Sequence, residues 1–139
     1  MSEATLEVPA RFSEEIQGHL TSFRDDAKRT VEKDRLGVSE DPPAYVEGER
    51  QSLPEFDRLV SQGRLQDDQN TITYRGGFDQ LIVAVAFRLG DVTEELHKLA
   101  MAGPSVEQCE RAEGLLEEAA WLFGAAKQLR QTNGEAVAA

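Results

Sequence analysis

The fold is decided by FDQLIVAVAFRLGDVTEELHKLAMA (residues 78–102) and SVEQCERAEGLLEEAAWLFGAAKQLRQ (residues 105–131). In the first segment apolar side chains recur every three or four residues, which is the spacing of a helix that buries one face. They are Phe78, Leu81, Ile82, Val85, Leu89, Val92, Leu96 and Leu99. Gly103-Pro104 ends this helix, because glycine accepts left-handed backbone and proline cannot continue a helix. The pattern predicts a long helix from Gly77 to a tight turn.

The second segment predicts another long helix, antiparallel to the first. Ser105 and Gln108 have the spacing of a capping box at its start. Its apolar stripe comprises Val106, Cys109, Ala112, Leu115, Leu116, Ala119, Leu122, Phe123, Ala126 and Leu129. Because Cys109 lies on this stripe, we expect a small buried hydrophobe there and not a nucleophile. Thr132-Asn133-Gly134 predicts the end of the helix, and residues 135–139 predict a disordered tail.

The N-terminal half predicts two further helices. Pro9 suits a first helical turn, and Phe12, Ile16, Leu20, Phe23, Ala27 and Val31 form one stripe that ends before Gly37. Residues 37–52 contain Pro42-Pro43, which favours extended backbone, so a long loop is predicted there. Ser52 then predicts the start of a short helix that ends at Gly63.

Two short segments have strand character, TLEV (residues 5–8) and TITY (residues 71–74). Both are rich in β-forming residues and lead straight into a helix, which predicts a two-stranded ribbon. The expected fold is all-α: one irregular four-helix bundle over residues 1–134, with a long C-terminal helical hairpin and this minor ribbon. In outline, TLEVPARFSEEI (residues 5–16) resembles the start of ribbon-helix-helix DNA binders.

Composition excludes several classes of partner. The chain of 139 residues has 26 acidic and 15 basic side chains, a formal charge of −11. Such a charge disfavours nucleic acid and anionic membranes, which both attract Lys and Arg. No secretory signal or membrane-spanning run is visible, and the single cysteine fits a reducing cytoplasm. Eleven Arg against four Lys, with many acids, favours a salt-adapted or GC-rich organism.

Residues 88–123 (RLGDVTEELHKLAMAGPSVEQCERAEGLLEEAAWLF) resemble all-α nucleotide pyrophosphohydrolases of the MazG and phosphoribosyl-ATP pyrophosphatase kind. Gly90-Asp91 and Glu95 match the first acidic motif of that family, and residues 117–120 (EEAA) match the second. Val92 and Trp121 stand where the family has acids. The resemblance implies a Mg²⁺ or Mn²⁺ site on the carboxylates Asp91, Glu95, Glu117 and Glu118. The competing interpretation, which we favour, is a solvated acidic face, because charge runs are usually solvated.

A second candidate site is an interaction surface. We expect Val83, Phe87, Trp121 and Ala125 to be exposed on the outer faces of the last two helices, where aromatic side chains are typical interface anchors. The sequence thus predicts a non-catalytic cytoplasmic helical protein that contacts a protein partner or forms a homodimer. The alternative is a divalent-cation-dependent enzyme of the pyrophosphohydrolase type.

Overall fold

The computed structural model describes the backbone of residues 3–103 and 105–138, and the side chains of the same ranges up to residue 131. The elements are β1 (Glu3–Pro9), α1 (Ala10–Arg35), α2 (Pro43–Leu65), β2 (Thr71–Gly77), α3 (Phe78–Ala102) and α4 (Val106–Ala138). None of the helices in this part of the chain combines the length and apolar character that crossing a bilayer requires.

The predicted ribbon is confirmed. β1 and β2 pair antiparallel with Leu6 opposite Tyr74, and the register runs from Glu3 opposite Gly77 to Pro9 opposite Thr71. Side chains alternate across a strand, so one face of the ribbon is buried and the other faces solvent. The inward side chains, Ala4, Leu6, Val8, Ile72 and Tyr74, are all buried. A ribbon alone is marginally stable in water, so this apolar face requires the helices beneath it.

The four-helix architecture is also confirmed, with the helices packed as two pairs. α1 packs against α2 and α3 packs against α4, while α2 contacts β2 and α4 contacts β1. The chain therefore consists of two strand–helix–helix units that share one ribbon. Their common core is built mostly from Leu, Val and Ile side chains of both units.

The long loop predicted at residues 37–52 is wrong. α2 begins at Pro43, nine residues before the predicted start at Ser52. Pro42 does adopt the extended backbone expected of it (φ −59°, ψ 143°), but Pro43 occupies the first helical turn, where its missing N–H costs nothing. Pro54 lies inside the helix. The loop is therefore only residues 36–42.

The turn between α3 and α4 follows the prediction. Gly103 has a positive φ of 92°, and the Gln108 N–H donates to the Ser105 hydroxyl at 3.1 Å. Pro104 lies outside the described residues. The predicted helix end at residues 132–134 is wrong, because α4 continues to Ala138; Asn and Gly only weaken a helix and do not forbid it. Ala139, in the predicted tail, lies outside the described residues, and the domain limit at residue 134 stays a prediction.

Candidate functional site

A buried ion pair joins the two C-terminal helices. Arg88 on α3 and Glu118 on α4 are only 8% and 7% exposed. Arg88 Nε donates to Glu118 Oε2 at 2.6 Å and Nη2 donates to Oε1 at 2.8 Å, a bidentate geometry. Glu15 of α1 lies 3.7 Å from the same guanidinium. The hydrogen bond to Glu118 holds the pKa of Arg88 above its usual value, so the guanidinium is charged at any physiological pH.

The four carboxylates predicted as metal ligands each contact a different basic side chain. Glu118 binds Arg88, and Glu117 Oε1 accepts a hydrogen bond from Arg11 at 3.0 Å. The other two contacts are Asp91 with His19 Nε2 at 2.7 Å and Glu95 with Arg111 at 3.3 Å. Three of these pairs leave one or both partners substantially exposed, and only the Arg88–Glu118 pair is buried.

Two of these carboxylates share a cavity. Asp91 and Glu95 line a polar cleft of about 530 Å³. Its other lining residues include Glu15, Arg88, Glu94, Lys98 and Arg111. Glu117 and Glu118 are not among the residues that line it. Within residues 3–103 and 105–131, no group of three or more His, Cys, Asp or Glu side chains is arranged to hold a metal ion. In this arrangement the four acids do not form one ligand set, and a cation site there stays a prediction.

The four residues predicted at an interface differ in exposure. Val83 and Phe87 are exposed on α3, Phe87 to 54%. Trp121 is half-buried, and its ring packs on the ring of Phe12 with centroids 5.5 Å apart. The exposure expected at Ala125 is wrong, because Ala125 is 4% exposed and belongs to the core. It lies one turn from the buried Leu122 and Leu129, on the face of α4 that meets the rest of the bundle.

The residues predicted to form one apolar stripe on α4 lie on two different faces of the helix, each of which we describe as a stripe. The buried one comprises Leu115, Glu118, Leu122, Ala125 and Leu129. The second, which we call the outer stripe, comprises Cys109, Ala112, Leu116, Ala119, Phe123 and Ala126. In it Leu116 is 57% exposed, Phe123 is 64% exposed, and the three alanines are half-buried. Cys109 is also exposed, so the prediction of a buried thiol is wrong.

An aromatic groove lies where α1, α2 and α3 meet. Phe23 contacts Phe87 edge-to-face with centroids 4.9 Å apart, and Phe56 with centroids 5.6 Å apart. The rings of Phe23 and Phe56 border the groove, which has a volume of about 300 Å³ and a rim that includes Asp26, Tyr45, Glu49 and Asp79. Burial raises the pKa of Glu49, and the carboxylates of Asp26 and Asp41 raise it further. The groove therefore combines aromatic walls with an acidic rim.

Sequence reasoning missed two polar contacts, one buried and one part-buried. Arg88 was overlooked although it lies between Val85 and Val92 at helical spacing, which is the signal that could have found it. Gln17 on α1 was also missed. Its Oε1 accepts a hydrogen bond from the Tyr74 hydroxyl at 2.6 Å, and its Nε2 donates to the Val60 carbonyl at 2.9 Å. No sequence signal marks Gln17, because its partners lie 43 and 57 residues away.

Comparison with known proteins gives no relative: no family model, no curated protein and no solved structure matches the chain.

Proposed function

We propose that the protein acts without catalysis, in the cytoplasm, through protein–protein contacts made by the outer stripe of α4. The observation that carries this proposal is the exposure of Leu116 and Phe123, 57% and 64%, on one face of a helix whose other face is buried. Single exposed apolar residues are common on soluble proteins, but a continuous apolar patch marks an interaction surface.

The spacing of the outer stripe supports a helical partner. Cys109, Leu116 and Phe123 are seven residues apart, and one alanine follows each of them three residues later. This alternation of three and four residues is the heptad pattern by which one helix packs along another. At 1.5 Å per residue the stripe is about 26 Å long.

The exposed aromatic edge of α3 supports a second contact area. Phe87 and Val83 are exposed beside the aromatic groove, whose rim is acidic. Aromatic residues are frequent anchors of protein interfaces. We therefore keep Val83 and Phe87 as contact residues, together with the half-buried Trp121.

The alternative, a cation-dependent enzyme of the pyrophosphohydrolase type, has one observation in its favour. Asp91 and Glu95 line the same polar cleft, and carboxylates are the ligands that Mg²⁺ prefers. Against it, each of these acids already contacts a basic side chain, and Glu117 and Glu118 lie outside the cleft.

Photo-crosslinking in the cells of origin tests the lead proposal. We expect Leu116→benzoylphenylalanine and Phe123→benzoylphenylalanine to give a covalent adduct of defined mass on irradiation. The matched control is Leu65→benzoylphenylalanine, because Leu65 is an exposed leucine on α2, outside the outer stripe. If the outer-stripe positions give no more adduct than position 65, the proposal is wrong.

A further inference from the structure

We infer that the outer stripe of α4 binds the outer stripe of a second copy of this chain, with the two helices antiparallel. This inference rests on the proposed function and names its partner. Steric complementarity, unpaired charge and the two-fold symmetry of such a pairing support it.

The first argument is steric. In the heptad of the outer stripe, the larger residues occupy the a positions and the alanines occupy the d positions. When two such helices pack antiparallel, each a position lies against a d position of the partner. In one register, Phe123 meets the partner's Ala112, Leu116 meets the partner's Ala119, and Cys109 meets the partner's Ala126. Each larger side chain then faces an alanine, so the two helices can approach closely. All six residues of the stripe are used on both copies, because the pairing is two-fold symmetric.

The second argument is electrostatic. Glu113 and Lys127 lie along the same edge of the outer stripe, two heptads apart, and both are exposed. Among the described residues neither has an ion-pair partner. Antiparallel pairing brings Glu113 of each copy to the same side of the seam as Lys127 of the other. Helical side chains lean toward the N-terminus of their own helix, so in this pairing the two side chains lean toward each other.

A parallel pairing would lack this complementarity. Glu113 and Lys127 of one copy would lie on the opposite side of the seam from Glu113 and Lys127 of the other, so neither would meet a partner of opposite charge. Phe123 would also meet Phe123. Charge and size therefore both select the antiparallel orientation.

The seam predicts a weak dimer. Only Leu116 and Phe123 are large, so the buried area belongs with the small interfaces below about 1,200 Å². Two chains of charge −11 also repel each other. We therefore expect a dimer that forms at chain concentrations of roughly tens to hundreds of micromolar and dissociates on dilution.

Sedimentation equilibrium of the full chain, up to about 1 mM and at fixed salt, tests the association. We expect the wild type to dimerise and Phe123→Glu to stay monomeric with an unchanged helical circular dichroism spectrum. Leu65→Glu, which changes an exposed leucine of α2 outside the outer stripe, should dimerise like the wild type. A wild type that is monomeric over the whole range, or a Phe123→Glu variant that dimerises as well as the wild type, would overturn the inference.

Charge reversal tests the contact between Glu113 and Lys127. Glu113→Lys and Lys127→Glu should each weaken the dimer by at least about fivefold, because two symmetric pairs are lost in each case. The double variant should regain most of the lost affinity. Additive loss in the double variant would overturn the antiparallel pairing.

Cysteine crosslinking tests the orientation directly. In the antiparallel register the two Cys109 residues lie roughly 25 Å apart along the seam, so a short bismaleimide should not join them. Ala119→Cys in a Cys109→Ser background lies near the two-fold axis and should be joined readily. Efficient crosslinking through native Cys109 would overturn the inference in favour of a parallel pair.

The outcomes separate this inference from the proposed function. A monomeric chain that still gives a cellular adduct at positions 116 and 123 with another protein would overturn the second copy as partner and leave the proposed function standing. A chain that gives no such adduct and does not dimerise would contradict both.

Discussion

The guanidinium of Arg88 and the carboxylate of Glu118 form two hydrogen bonds, at 2.6 and 2.8 Å, where both side chains are almost completely buried. Such a pair ties α3 to α4, but its desolvation cost is large. Its main energetic consequence is asymmetric, because the loss of one partner leaves the other charge buried and unpaired.

We expect Arg88→Met to lower the free energy of unfolding by about 3–5 kcal/mol, since Glu118 would remain buried without a counter-charge. The double variant Arg88→Met/Glu118→Leu should recover most of this loss. Urea unfolding followed by circular dichroism measures both. Arg111→Met is the matched control, because it breaks an exposed pair with Glu95 and should cost less than about 1 kcal/mol. Equal losses for the two single variants would contradict the buried role of Arg88.

Alkaline pH should act through Tyr74. Burial raises the pKa of its hydroxyl well above the usual value near 10, so the folded protein holds this proton when the unfolded chain has lost it. Stability is therefore unaffected below about pH 10 and falls as the pH rises above it. Tyr74→Phe loses the hydrogen bond to Gln17, about 1 kcal/mol, but it should not show this alkaline fall. When melting temperature is plotted against pH from 8 to 11, the curves of the wild type and of Tyr74→Phe should converge. Curves that stay parallel would contradict the prediction.

Two glycines of α2 should respond oppositely to the same substitution. A Cβ at Gly63 would lie 2.7 Å from the Tyr74 hydroxyl oxygen and closer still to the Gln17 amide, whereas a Cβ at Gly48 meets nothing within 4 Å. We expect Gly48→Ala to stabilise the protein by up to about 1 kcal/mol through helix propensity. Gly63→Ala should destabilise it by about 1–3 kcal/mol through crowding. Chemical denaturation measures both, and stabilisation by both would show that Gln17 moves aside freely.

The alternative enzymatic function makes its own prediction. A divalent cation present at a free concentration of 100 times its dissociation constant would raise the free energy of unfolding by about 2.7 kcal/mol. Under the lead proposal we expect no difference in melting temperature between Mg²⁺, Mn²⁺ and a monovalent salt at matched ionic strength. A shift with the divalent ions that disappears in both Asp91→Asn and Glu95→Gln would favour the cation-dependent enzyme.

Most of the architecture could be predicted from hydrophobic spacing. The structure has helices and strands where the stripes of α1 and α3 and the two β-rich segments predict them. Each of these elements buries one face, so its apolar residues recur with the period of a helix or a strand. The start of α2 could not be predicted from Pro42 and Pro43, since a proline pair stops a preceding helix and also suits the first turn of the next. Pro54 added to the difficulty, because tertiary packing tolerates it inside α2.

The candidate site was harder to predict than the fold. α4 is apolar on two adjacent faces, so sequence spacing alone merged its buried stripe and its outer stripe into one. Sequence reasoning places Glu118 on the acidic surface, although it lies three residues after Leu115 and four before Leu122 on the buried face. Its burial depends on Arg88, 30 residues earlier, and local periodicity cannot detect such a pairing.

Because the two units share one ribbon within a single chain, equivalent positions of the two units can carry different residues. A symmetric dimer of half-sized chains does not allow such a difference. β2 and α3 each begin 68 residues after β1 and α1, so Leu20 and Arg88 occupy equivalent positions in the two units. In a dimer of identical chains both positions would carry the same residue. A buried arginine would then occur twice, and each copy would need its own buried counter-charge. Because the two units are covalently joined, one keeps an apolar leucine while the other holds a single internal charge pair. The linkage also fixes the local concentration of the two strands, so their pairing does not depend on dilution.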